Sequence, residues 1–202
     1  MRSKFAFVSL VFLLSLSASG CAFSIHQTPL NYSYSGKLSG NGIKNPTKFL
    51  RLGEVKDSRD VTTPKMIMNM RNANGFRTSG GWEAEKPIAD IVKDALGQGI
   101  KLSGLGLNNK ADLSLSGEII EYAYEFKNLR PFTTTLSSKL TVKIQLRDEV
   151  FGKILWRDTF FGQAEVQSDF NNDFAKEGFT IALNNLVTKI FTDDLFFQHL
   201  EK

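Results

Sequence analysis

Several groups of residues in this chain have types and spacings that could do chemistry. Cys21 is the only thiol, and it directly follows the small residues Ala18, Ser19 and Gly20, a run that an export peptidase pocket can admit. Asp57, Arg59 and Asp60 lie close enough to build a charged ligand site at a strand end, or to pair with one another and fix a turn. Met66, Met68 and Met70 alternate, and with the initiator they account for every methionine. Such a stripe can pack in a core, form an adaptable patch for a protein or lipid partner together with Arg71 and Trp82, or offer thioethers to monovalent copper. Lys139, Lys143 and Arg147 make a basic stripe that could meet anionic head groups, with Glu118 on an adjoining strand as a partner for it. His26 and His199 are the only histidines. A histidine triad or zinc site needs more than these, so no enzymatic activity, catalytic residue, metal or cofactor is expected.

The first twenty residues explain why Cys21 matters. Arg2 and Lys4 precede an apolar stretch from Phe5 to Leu16, interrupted by serines before it could span a bilayer. The run from Leu16 to Cys21 resembles a bacterial lipobox, and that resemblance implies a cysteine acylated on sulfur and on its amine. Each buried methylene contributes ~0.8 kcal/mol, so several chains anchor where one would not. The membrane is therefore an expected partner through acyl chains on Cys21. Ala22, rather than Asp, points to the outer membrane facing the periplasm. Removing Arg2 and Lys4 with the leader leaves 23 basic against 21 acidic residues, which is no balance for nucleic acid.

The elements that would position these residues are read from periodicity. We expect a signal peptide over 1–20, a lipid-anchored tether over 21–47, and a single α+β domain over 48–202. Tyr32 and Tyr34 are spaced as in an edge strand, and Gly36, Gly40 and Gly42 as loop residues. Phe49 to Val55 reads as a first strand. Met66 to Arg71 and Phe76 onward read as a hairpin around Asn72-Ala73-Asn74-Gly75. Ile88, Ile91, Val92, Ala95 and Leu96 predict a helix after Pro87, stopped by Gly97 and Gly99. From Asp112 the period becomes two over three long segments, with a bulge expected near Gly117 to Ile120, where Ile119-Ile120 breaks the phase. Asn171, Asn172 and Asp173 are candidate caps for a last helix whose stripe runs from Phe179 to Ile190. Leu195 to His199 is then a separate turn or a frayed continuation. The sum is a two-layer sandwich: an antiparallel sheet with a long three-strand meander and two helices packed on one face.

Cys21, the strand exit Asp57-Ser58-Arg59, the hairpin Met68 to Phe76, the helix Ile88 to Leu96 and Ala182-Leu183-Asn184-Asn185-Leu186 together resemble the YajG-type envelope lipoproteins. That likeness implies an anchored α+β domain and brings no catalytic residue. Trp82-Glu83 before a helix is also similar to auxiliary lipoproteins of lipid-transport ABC systems. Two functions follow as expectations. One is an accessory module binding a periplasmic or membrane partner through Asp57, Arg59, Met66, Met68, Met70, Arg71 and Trp82. The other is a carrier holding an apolar ligand between sheet and helices, in a pocket lined by Tyr122, Phe126 and Phe160.

Overall fold

The computed structural model describes residues 24–36, 38, 48–71, 74, 76–130, 133–168 and 174–201. The leader, Cys21, Gly40, Gly42, the caps Asn171 to Asp173 and most of the hairpin turn lie outside the described residues. The chain forms an α+β fold. Its elements run β1 (Ile25–Gln27), β2 (Phe49–Asp57), β3 (Met66–Arg71), β4 (Arg77–Glu83), α1 (Ile88–Leu102), β5 (Gly106–Leu107), β6 (Leu113–Arg130), β7 (Thr133–Asp148), β8 (Lys153–Ser168), α2 (Phe174–Ile190) and α3 (Asp194–Glu201).

The meander forms as its alternation dictates. Leu136, Leu140, Val142, Ile144 and Leu146 of β7 are all fully buried, while Lys139, Lys143 and Arg147 take the opposite face. Each such aliphatic side chain contributes roughly 1.5–3 kcal/mol on burial, enough to pin the register against a one-residue slip. Glu118 stands directly across from Lys143. Between Ile119 and Glu121 the β6–β7 register shifts by one, so Ile120 is the extra, exposed residue of the expected bulge.

The sheet differs from the expected antiparallel one. Its order is β5-β2-β6-β7-β8, and both β5 and β6 run parallel to β2. Between β2 and β6 the chain makes β3, β4 and α1, a crossover long enough to return it in the same direction. The β3–β4 hairpin is antiparallel but belongs to a second sheet, β1-β4-β3.

All three helices share the second layer with that small sheet. Gly162 of β8 lies so close under α2 that a Cβ there would sit 1.8 Å from the Ala182 carbonyl oxygen. Gly97 and Gly99 do not stop α1, contrary to the sequence expectation. The helix runs through them because a Cβ at Gly99 would meet the Phe191 ring at 2.2 Å and one at Gly97 would meet Leu52 at 3.3 Å. Small residues there let α1 approach the α2–α3 corner and β2. α1 ends instead at Ser103 and Gly104, the latter at φ +82°. α3 is a separate helix: the Asp193 carboxylate accepts the Phe196 N–H at 2.7 Å, as an N-cap does.

Residues 24–35, within the span expected to be a tether, are laid on the domain. β1 pairs in parallel with β4, Leu30 is buried, and the Tyr32 hydroxyl donates to Asn184 Oδ1 at 2.8 Å. The Tyr34 N–H donates to Gln98 Oε1, and its hydroxyl shares a hydrogen bond with Thr188. Tyr32 and Tyr34 therefore bridge to α1 and α2 rather than forming an edge strand.

Candidate functional site

The exit of β2 turns back toward β3 through a buried ion pair. Arg59 Nε and Nη2 donate to the two Asp57 carboxylate oxygens at 2.9 and 2.7 Å, and the Arg59 side chain is only 4% exposed. Fork against fork is the strongest geometry available to this pair of residue types. A third nitrogen of the guanidinium reaches the Ile67 carbonyl at 3.4 Å, which ties the β2 exit to β3. Asp57 and Arg59 thus act together as a strut.

Around that strut lies a cleft of about 460 Å³ between the small sheet and β6. Arg59, Met68 and Arg71 from the sequence reading line it, with Arg77, Glu121, Tyr122 and Tyr124 added. Arg77 reaches Asp60 at 2.5 Å in an exposed pair. Arg71 interacts with the Tyr124 phenol, whose hydroxyl also donates to the Asn69 carbonyl. Burial pushes the Tyr124 phenol upward, and the nearby Arg71 and Arg77 partly oppose that. Burial raises Tyr122 further above the ordinary phenol range, with Ser138 and Arg59 acting against it. Both phenols are neutral donors at any physiological pH. The cleft therefore carries guanidinium groups on its rim, with Arg59 paired to Asp57, Arg77 to Asp60 and Arg71 to the Tyr124 phenol.

The methionines and Trp82 lie in the core, with Met68 also reaching the cleft wall. Met66 and Met68 are fully buried and Met70 packs partly buried against the core, so the stripe is core rather than an exposed patch. Hydrophobic alternation looks the same in both cases, and only the covering layer distinguishes them. Trp82 is buried between His26, stacked at 5.6 Å, and Phe174, edge-on at 4.9 Å. Among the described residues no group of three or more His, Cys, Asp or Glu is arranged to hold a metal ion. The pocket expected between sheet and helices is filled instead. Tyr122 packs on Phe179 at 5.3 Å, Phe126 on Phe174 at 5.7 Å and Phe160 on Trp156 at 5.7 Å.

Arg77 and Tyr124 are cleft residues that sequence reasoning missed. A signal for Arg77 exists: once Met66 to Arg71 pairs with the next strand, a short turn sets Arg77 opposite Arg71, as the register shows. Nothing local marks Tyr124, because its partner Asn69 is 55 residues away.

The chain matches no protein-family model and no curated protein sequence. Among solved structures it is similar to a Xanthomonas campestris protein of the DUF330 family. The TM-score is 0.61 at 13% identity, over 84% of this chain and 93% of that one. It also aligns with a minor lipoprotein of Acinetobacter baumannii, at a TM-score of 0.41, 18% identity and 71% and 89% coverage. A further alignment is with the Neisseria meningitidis lipoprotein GNA1162, at 0.36, 11%, 64% and 90%. At these identities the first likeness establishes a shared fold.

Proposed function

We propose that this chain is a non-enzymatic, lipid-anchored accessory protein of the bacterial envelope, which holds a rigid binding domain beside a membrane. The observation that carries the proposal is the short span between Cys21 and β1. Four residue steps separate Cys21 from Ile25, which is hydrogen-bonded into the small sheet. A chain of that length reaches at most ~14 Å. An acylated Cys21 would therefore keep the β1–β4 end of the domain against the bilayer. Ala22 supports the outer membrane, and the residues shared with the YajG-type lipoproteins support the family.

In this reading the partner is an envelope protein, met at the cleft rim. The exposed Arg77–Asp60 pair can exchange its carboxylate for one from a partner at little cost, since an exposed pair contributes ~1 kcal/mol or less. Asp57, Arg59, Met66, Met68, Met70 and Trp82 then support the rim from behind.

The test combines mass analysis of protein from its native host with photo-crosslinking from position 77. The expected result is a triacylated residue 21 and one defined envelope protein captured, with both lost in Cys21→Ser. A bare residue 21, or capture of only general envelope neighbours, overturns the proposal.

A further inference from the structure

A cavity of about 710 Å³ lies at the opposite end from β1, where the β7–β8 turn meets the C-terminal end of α3. The two ends are well separated. His26 stacks on Trp82, Trp82 meets Phe174 edge-on and Phe174 meets Phe126 edge-on, near the far end of β6, whereas Leu113 at the near end lines the cavity. The β6 stretch between Leu113 and Phe126 spans ~43 Å.

The cavity has two chemically distinct parts. Its apolar lining comes from Phe49, Leu113, Leu155 and Leu200. Phe49 is 48% exposed although it begins a central segment of the sheet, and its ring lies over Gly106, where a Cβ would collide with it at 2.2 Å. Among the described residues this aromatic is covered on one side only, by the glycine.

The polar part is cationic. Lys48, Lys110 and Lys153 all line the cavity, and none forms an ion pair among the described residues. Of the two acids there, Asp148 is already engaged, accepting the Val150 and Phe151 N–H groups at 2.9 and 3.0 Å. His199 uses Nδ1 on the Leu195 carbonyl, which leaves Nε2 for another partner. Three lysines against the carboxylates of Asp112 and Asp148 leave the lining with a net charge of +1, which favours an anionic head over a neutral or cationic one.

Two other hollows among the described residues lack this combination. The cleft at Arg59 pairs Arg59 with Asp57 and Arg77 with Asp60. The trough on the wet sheet face, about 300 Å³, mixes Glu54, Lys56, Glu118, Lys143 and Arg157 and has no aliphatic or aromatic lining.

We propose that this cavity binds one anionic amphiphile, a carboxylate or phosphate head on an alkyl chain. The head lies among Lys48, Lys110 and Lys153, and the chain lies on Phe49, Leu113 and Leu155. The volume falls within the ~300–1,000 Å³ of small-molecule sites, and its lining has the usual apolar wall with a few convergent polar groups. The ligand would be held on the side of the domain away from β1. This inference does not depend on acylation of Cys21.

The test uses the full chain carrying Cys21→Ser, purified without detergent, with cis-parinarate fluorescence as the probe. We expect one probe per chain, displaced by laurate or dodecyl phosphate at least ten-fold more tightly than by dodecanol. Lys110→Glu/Lys153→Glu should weaken laurate at least ten-fold. Lys139→Glu/Lys143→Glu, on the wet sheet face, should leave it unchanged at an unaltered melting temperature. Phosphatidylglycerol vesicles separate a bilayer from a free amphiphile: the exposed Val150 and Phe151 could adsorb to a surface without using the cavity. Binding to vesicles with no 1:1 uptake of laurate overturns the proposal. So does equal affinity for laurate and dodecanol, or the same loss in both lysine pairs.

Discussion

Gly162→Ala should be among the most damaging single-methyl changes in this protein. Built on the native backbone, the added Cβ would lie 1.8 Å from the Ala182 oxygen and 2.6 Å from the Leu186 nitrogen. Both are backbone atoms of α2, so no side-chain rotation relieves the clash. Either α2 lifts from β8 or the strand bends away, and both open the core that Phe179, Leu183 and Leu186 fill. Overpacking costs typically 1–3 kcal/mol, and a backbone obstacle places this case at about 3 kcal/mol. For a chain of this size that lowers the melting temperature by roughly 6–12 °C. Gly117 in β6 is the control. A Cβ there meets Ile144, Val142 and Val55 at 3.6 Å, ordinary contact distance, and no left-handed backbone is involved. Gly117→Ala should therefore be neutral or stabilise by ~0.4–1 kcal/mol, through the unfolded chain. The assay is thermal and urea unfolding of wild type and both variants at equal concentration. Equal melting temperatures for the two variants would refute the reasoning that α2 rests directly on the Gly162 backbone.

Two further outcomes follow from the charged groups. Arg59→Ala leaves the Asp57 carboxylate without its guanidinium partner and should cost about 3–5 kcal/mol, whereas Asp57→Asn with Arg59→Met should recover most of it. Urea unfolding of both variants checks this, and no recovery in the double variant counts against a structural role for the pair. The Glu149 carboxyl is held below the usual range by the Ser114 hydroxyl at 2.5 Å and by Arg51 at 2.7 Å. A depressed folded-state value means its contribution is present above the unfolded value of about 4.3 and is lost as pH falls through the folded one. The melting-temperature gap between wild type and Glu149→Gln should therefore close on acidification below about pH 4, and a pH-independent gap would contradict it.

The parts of this fold that depend on neighbours along the chain were legible beforehand. β6, β7 and β8 announce themselves by period two, and the broken phase at Ile119-Ile120 marks the bulge where the register shifts. The stripes of α1 and α2 likewise give their buried faces, because residues three and four apart share one side of a helix. Gly97 and Gly99 misled because a glycine signals equally a helix end and a close helix contact. The Phe191 ring that decides between them arrives about ninety residues later.

What the amino-acid order determined by itself is therefore the longer strands and helices, β2 to β4, β6 to β8, α1 and α2, and their buried sides. Tertiary structure alone decided that β2 runs parallel to β6 and that the methionine stripe is core. It also decided that Arg77 and Tyr124 join Arg59 at one cleft, and that Lys48, Lys110 and Lys153 line one cavity with Phe49. The physical reason is range: periodicity reflects contacts within one or two turns of chain, whereas each of these outcomes is a contact between segments that only the packed layers bring together.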